Sequence, residues 1–230
     1  MKIRVEKFLS ENTSYSRREI KKFISNRRIK VNDIVIKKSE QIHFDDVVKI
    51  DNHIIKKQEQ FIYLLLNKSS GYVCANIDKI NKTVFDLIDS RYLSYKGIHT
   101  VGRLDKDTEG LLLITNDGEL THELLAPKKH VIKKYFVRLN GNLDNSLIKI
   151  FEKGFDIGEK NITKPSTLEI LNNNECFLSI NEGKFHQVKR MFLKFGLEVI
   201  YLKRVKFANL NLPKDLKKGE YIEIKRDQII

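Results

Sequence analysis

From Val101 to Gly118 the chain reads Val-Gly-Arg-Leu-Asp-Lys-Asp-Thr-Glu-Gly-Leu-Leu-Leu-Ile-Thr-Asn-Asp-Gly. A polar stretch carrying Asp105, Asp107 and Glu109 runs directly into the aliphatic run Leu111 to Ile114 and stops at an Asn-Asp-Gly turn. An aliphatic run bounded by turn residues predicts a buried strand. Polar loops pinned to such strands are where catalytic groups tend to sit. Elsewhere Lys134-Tyr-Phe-Val-Arg-Leu139 and Glu175-Cys-Phe-Leu-Ser-Ile180 alternate apolar and polar residues, the pattern of half-buried strands. With helical stretches between them, these strands predict an α+β chain: a mixed, mainly antiparallel sheet with the acidic loop across its face.

Taken alone, the carboxylates admit three uses. Asp105-Lys-Asp-Thr108 has the order of the loop with which aspartyl-phosphate phosphatases attack phosphorus beside magnesium. That loop should follow an unbroken apolar strand, whereas Gly102-Arg103 interrupts the approach and no acidic pair follows to complete a metal site. The same residues open like a calcium-binding loop, but its twelfth position is Asn116 where a bidentate Glu belongs. The third use is an acidic turn with no task. Cys74 and Cys176 lie about a hundred positions apart, and the six histidines show no HxH or HxxxH pairing, so no metal site is expected.

A formal charge of +13 over 230 residues points to a polyanionic partner. Residues 1–57 hold 15 Lys and Arg against 8 Asp and Glu, a net +7, while residues 58–230 hold 28 against 22, a net +6. A base-composition bias would raise the charge everywhere without concentrating it. Val5, Phe8 and Leu9, then Ile20, Phe23 and Ile24, predict two short helices. Ser16 three residues before Glu19 has the capping-box spacing. Arg17, Arg18, Lys21 and Lys22 fall off the apolar stripe and Arg27 and Arg28 follow, so the second helix presents a cationic face. Two short strands are expected around Asn32-Asp33, and a third in Asp45-Asp-Val-Val-Lys-Ile-Asp51. The polar residues 56–60 are the expected linker, which divides the chain into a basic unit, 1–57, and a larger unit, 58–230.

In this order, the N-terminal pieces resemble the small RNA-binding domain first seen in the fourth protein of the ribosomal small subunit. The resemblance implies docking on structured RNA through phosphate contacts from Arg17, Arg18, Lys21, Lys22, Arg27 and Arg28. The segment from Gly102 to Gly118 resembles the signature of the pseudouridine synthases related to the small-subunit ribosomal RNA uridine isomerases. Further matches follow in order. Asn67 to Cys74 resembles their NKPxG segment, with Ser69 at the usual proline, and Lys134-Tyr135 resembles their basic-Tyr strand. Glu-Gly-Lys-Phe-His-Gln-Val-Lys-Arg-Met-Phe, residues 182–192, resembles their last motif, and residues 163–170 resemble the subfamily acting on 16S ribosomal RNA.

The resemblance implies that Asp105 is the catalytic carboxylate and that Arg103 helps hold a nucleotide flipped out of its stack. A strand tyrosine sharing a face with Val137 and Leu139 is ordinarily core packing; by resemblance Tyr135 stacks on the target base. Lys189 stands where related synthases carry an arginine that pairs with the catalytic aspartate, which keeps the charge but loses the two-pronged fork. Arg190 is the alternative partner. Val188, Met191, Phe192 and Phe195 predict a buried helical stripe before Gly196, and His186 and Gln187 are expected to be structural.

Pseudouridine formation breaks the bond from ribose to base nitrogen, turns the uracil and rejoins it through a ring carbon. No cofactor is therefore expected, and the implied partner is ribosomal RNA, the 16S species of an assembling small subunit. Whether Asp105 attacks base or ribose, or acts as a base, stays open. Two other readings are a sister synthase for large-subunit RNA, told apart only by residues 163–167, and an RNA-binding assembly factor without turnover, against which the intact motifs speak. The longest apolar run, Phe61 to Leu66, falls far short of the roughly 18–20 residues that span a bilayer. With no apolar leader at the start, a soluble, cytoplasmic protein without membrane contact is expected.

Overall fold

A computed structural model describes residues 2–43, 45–56, 61–126 and 129–230. Packing divides the chain into two compact units, Met1–Gln60 and Phe61–Ile230. Apart from Lys56, the expected linker lies outside the described residues.

The first unit runs β1 (Lys2–Arg4), α1 (Val5–Asn12), α2 (Arg17–Ser25), β2 (Ile29–Val31), β3 (Ile34–Val35), β4 (Gln41–His43), β5 (Val48–Ile50) and β6 (His53–Ile54). Helix α2 starts where the capping box places it: the Glu19 amide donates to Ser16 Oγ at 3.3 Å, and the Ser16 amide donates to Glu19 Oε2 at 2.8 Å. Val5, Phe8, Leu9, Ile20 and Ile24 close a core against Ile29, Val31, Val48 and Ile50. Burying that stripe leaves Arg17, Arg18, Lys21, Lys22, Arg27 and Arg28 exposed. Arg28 is already engaged, since its Nε donates to Asp51 Oδ1 at 2.8 Å and its guanidinium lies 4.2 Å over the Phe23 ring. Asn32 and Asp33 both take positive φ, 48° and 65°, as a two-residue hairpin joining β2 to β3 requires.

The second unit continues with β7 (Tyr63–Lys68), a 3-10 turn (Val84–Leu87), α3 (Ser90–Leu93), β8 (His99–Thr100), β9 (Glu109–Thr115), α4 (Gly118–Leu125) and β10 (Lys133–Leu139). Then come α5 (Ser146–Lys153), β11 (Thr167–Ile170), β12 (Glu175–Ile180), α6 (Gln187–Leu193), β13 (Val199–Phe207), β14 (Leu210–Asn211) and β15 (Tyr221–Glu223). One nine-stranded sheet has the order β11-β12-β10-β13-β9-β7-β15, with β14 on β13 and β8 on β9. The chain is thus α+β with a mixed, mainly antiparallel sheet, and β9 beside β13 is the parallel pair.

Strand β9 is buried at every residue because both faces of the sheet are covered there. Leu112 and Ile114 join one core with Phe151, Met191 and Phe192 from α5 and α6, while Leu111 and Leu113 join another with Leu120 and Leu124 of α4. Two-sided cover is why this strand reads as a continuous aliphatic run. Strands β10 and β12 bury alternate residues, as their period-two pattern predicts. Gly110 lets β9 approach β13 closely, since a Cβ there would lie 2.2 Å from the Arg204 carbonyl oxygen. The Asn-Asp-Gly segment differs from the turn expected of it. Asn116 Oδ1 accepts the Ile62 amide at 2.9 Å, and Asp117 caps α4 by accepting the Leu120 amide at 2.9 Å, so the segment joins strand to helix. Among the described residues no helix is long and apolar enough to cross a membrane.

Candidate active site

The 101–108 loop is anchored before it is functional. Its start is tied to β9 by the Val101 amide on the Leu113 carbonyl at 2.8 Å, and Gly102 turns with φ +72°. Behind the loop Lys68 is fully buried, and its Nζ donates to the carbonyls of Ser69 (3.0 Å), Lys106 (3.1 Å) and Thr108 (2.8 Å). Burial pushes that ammonium below its ordinary range, but three carbonyls solvate it in place of water. The Thr108 amide closes the loop on the Asp105 carbonyl at 3.1 Å, and the Leu104 amide rests on Cys74 Sγ at 3.3 Å.

This scaffold sets Asp105 in a cleft of about 830 Å³, whose walls include Arg103, Tyr135, His186, Lys189 and Arg204. The Asp105 side chain is 30% exposed. Lys189 Nζ stands 3.4 Å from Asp105 Oδ2 and donates to both oxygens of Asp107, at 2.6 and 2.8 Å. The expected pairing of Lys189 with Asp105 is present, but the ammonium is shared, and the tighter bonds go to Asp107. Burial raises the Asp107 carboxyl, the hydrogen bonds and charge of Lys189 lower it, and the balance falls below the ordinary range. Tyr135 is buried on β10 opposite Arg204 of β13, and Arg103 is exposed at the rim.

Arg190 is not brought to Asp105. It pairs with Glu159 at 2.5 Å and donates to the carbonyls of Ile157 and Phe185, which makes it a brace beneath α6. Gln187 is structural, its amide bridging Glu182 and the Lys184 amide at 2.8 and 2.9 Å. His186, given the same expectation, differs. It takes a left-handed backbone (φ 48°), stacks on Phe185 at 3.8 Å, and points Nε2 to within 3.7 Å of Asp105 Oδ1. A histidine beside a helix start carries no sequence signal for this, because the φ that aims it is set by tertiary packing. Lys68 lies inside the 67–74 motif segment, which marks it without giving it a role, and Arg204 lies in a plain amphipathic strand that carries no signal. Of the two free cysteines, Cys74 lines the cleft and Cys176 is core.

Residues 62–194 match the RNA pseudouridylate synthase family, and residues 3–48 match the S4 domain. The chain is 36% identical over 229 residues to the ribosomal small subunit pseudouridine synthase A of Haemophilus influenzae, covering 99% of this chain and 98% of that protein. It is 37% identical over 234 residues to a Bacillus subtilis protein named as an uncharacterized RNA pseudouridine synthase, YtzG, covering 99% and 97%. A crystal structure of a pseudouridylate synthase superposes with a TM-score of 0.70 at 35% identity, covering 99% and 98%.

Proposed function

The chain belongs to the RNA pseudouridylate synthase family, and from that premise we propose that it isomerises a uridine of small-subunit ribosomal RNA to pseudouridine, with Asp105 as the catalytic carboxylate. The observation that carries this reading is the convergence of Asp105, Tyr135 and Lys189 on one cleft, held by a loop that buried Lys68 keeps in place. The flipped uridine enters with its base against Tyr135 and its ribose toward Asp105, and the unstacking cost of a few kcal/mol is met by RNA contacts outside the cleft. Arg103 at the rim holds the flipped nucleotide, and the cationic face of α2 engages phosphates, which position the RNA without reading its sequence. Lys189 balances the paired charges of Asp105 and Asp107, so that one carboxylate faces the substrate while the other anchors the cation. The small-subunit target is supported by the name of the Haemophilus relative and by residues 163–170. The 163–166 stretch also serves the fold, since Thr163 Oγ1 accepts the Phe155 amide at 3.0 Å and Ser166 Oγ donates to the Phe151 carbonyl at 3.0 Å.

The test is to map pseudouridines in both ribosomal RNAs of cells with the gene, without it, and complemented with Asp105→Asn. One small-subunit site should vanish on deletion and stay absent in the Asn strain, because an amide keeps the shape but is a poor nucleophile and base. A lost large-subunit site would move the target to the sister activity, and a site restored by Asp105→Asn would sink the aspartate assignment.

A further inference from the structure

Arg204 lies in the middle of β13 with 1% of its surface exposed. Its Nε donates to the Leu111 carbonyl at 2.8 Å, whereas Nη2 is buried without a hydrogen-bond partner. The carboxylates nearby are committed elsewhere: Asp105 and Asp107 to Lys189, Glu109 to Lys218, and Glu182 to Gln187 and the Lys164 amide. Leaving a buried guanidinium half-bonded costs stability, and an orphaned buried donor in a native fold calls for an explanation. Among the described residues four buried side-chain atoms lack partners, and three of them, Thr108 Oγ1, Asn181 Oδ1 and Arg204 Nη2, belong to residues lining the one cleft. The cleft is built for a polar guest.

We propose that Arg204 donates a hydrogen bond to O4 of the target uracil and stabilises the negative charge the base acquires when its bond to ribose breaks. This deepens the function proposed above and rests on it. Two features favour the base over a phosphate as the acceptor, and a third favours uracil over cytosine. Arg204 is the β13 partner of Tyr135 and both residues line the cleft, so the ring against which the base stacks and the guanidinium come from paired positions on neighbouring strands. A flat base edge can reach a floor residue, while a tetrahedral phosphate, tethered to the chain on both sides, stays near the rim. A guanidinium is donor-only, so it suits a uracil oxygen and clashes electrostatically with the amino group that cytosine presents in place of O4.

The charge argument follows from the bonds. As the C1′–N1 bond breaks, its electron pair stays with the base, and the charge spreads onto the two carbonyl oxygens. The C1′–C5 bond then forms with a pair from the ring, C5 loses its proton, N1 gains one, and the base is neutral again. A fixed cation at an oxygen stabilises the charged stage more than the start or the end, which is the condition for raising a rate. The local field supports this. Lys133 lies 5.8 Å from the Phe207 ring that also carries the Arg204 guanidinium at 4.9 Å. Burial, then Arg204, then Lys164 lower the Lys133 ammonium to about 8 against the pull of Glu182, as expected where positive charge is in excess.

The test titrates the full chain with uridine, cytidine and inorganic phosphate while following arginine side-chain NMR signals, the Arg204 signal being identified by its absence in Arg204→Lys. Uridine should shift it, and cytidine and phosphate should not; no response to uridine, or an equal response to phosphate, overturns the proposal. Mononucleosides make this outcome independent of which RNA is modified, so failure of the small-subunit assignment would leave it standing. On the mapped RNA substrate, Arg204→Gln should lose roughly 10²–10³-fold in single-turnover rate, the range seen on removing one charge-stabilising donor, with RNA affinity nearly unchanged. Arg204→Lys should recover part of that rate. A loss that appears equally in affinity, or in thermal stability, would mean a structural arginine and reject the role.

Discussion

A single ammonium at Lys189 serves two carboxylates, 3.4 Å from Asp105 and 2.6 Å from Asp107. A charge-assisted hydrogen bond is worth about 1.5–3 kcal/mol, so Lys189→Met should slow single turnover by roughly 10- to 100-fold, and Lys189→Arg should keep most of the rate. Wild-type turnover by the Met variant would remove Lys189 from the machinery. Lys133 is a residue whose titration bears on stability. In the folded chain its ammonium releases its proton near pH 8, below its ordinary 10.5, because burial disfavours the charge. Between those values the unfolded chain binds more protons, so stability rises with pH across the window. Lys133→Met should therefore melt higher than the wild type at pH 7, with the gap closing as pH rises from about 8 toward 10.5. A gap that is constant with pH would show that the charge carries no penalty.

At the scale of elements, the acidic loop owes its shape to β7 and β9 more than to its own residues. Lys68, the last residue of β7, ties both limbs of the loop through the Lys106 and Thr108 carbonyls. Lys68→Met would leave the buried Thr108 carbonyl without this donor and the Lys106 carbonyl with the Gly71 amide alone, at a cost of about 1–3 kcal/mol for the unsatisfied acceptor. The Gly71 and Thr108 amides, which bond to the Lys106 and Asp105 carbonyls, should then exchange with solvent much faster than in the wild type. Unchanged protection of both amides would mean that the strands alone hold the loop. The close β9–β13 crossing at Gly110 works in the same way, since it brings Arg204 against the loop's strand.

For the whole molecule, charge and core are separated. The first unit holds its own core and leaves Arg17, Arg18, Lys21 and Lys22 exposed on α2, while the cleft is built within the second unit. Replacing these four residues with Gln keeps the capping box and the apolar stripe. RNA affinity should fall, and the slope of log affinity against log salt should flatten by roughly 3, at about 0.7–0.9 for each phosphate that is no longer neutralised. Turnover at saturating RNA should be unchanged. An unaltered slope would reduce α2 to a solvated face.

Period and spacing in the sequence were enough for the α2 capping box and the Asn32-Asp33 hairpin, which depend on near neighbours, and for the alternating β10 and β12 and the aliphatic β9, whose patterns mark the faces that need cover. The motif matches likewise named Asp105, Tyr135 and Lys189. Tertiary structure decided what lies across long sequence separations: that Lys189 favours Asp107, that Arg190 braces Glu159 instead of reaching Asp105, and that His186 turns into the cleft. Lys68 and Arg204 belong with these, since a charged residue in a strand is read as solvated until both faces of the sheet are covered. Burial and the choice of partner arise only when β7, β9, β10 and β13 meet, and no local pattern encodes which groups the closing sheet will leave without water.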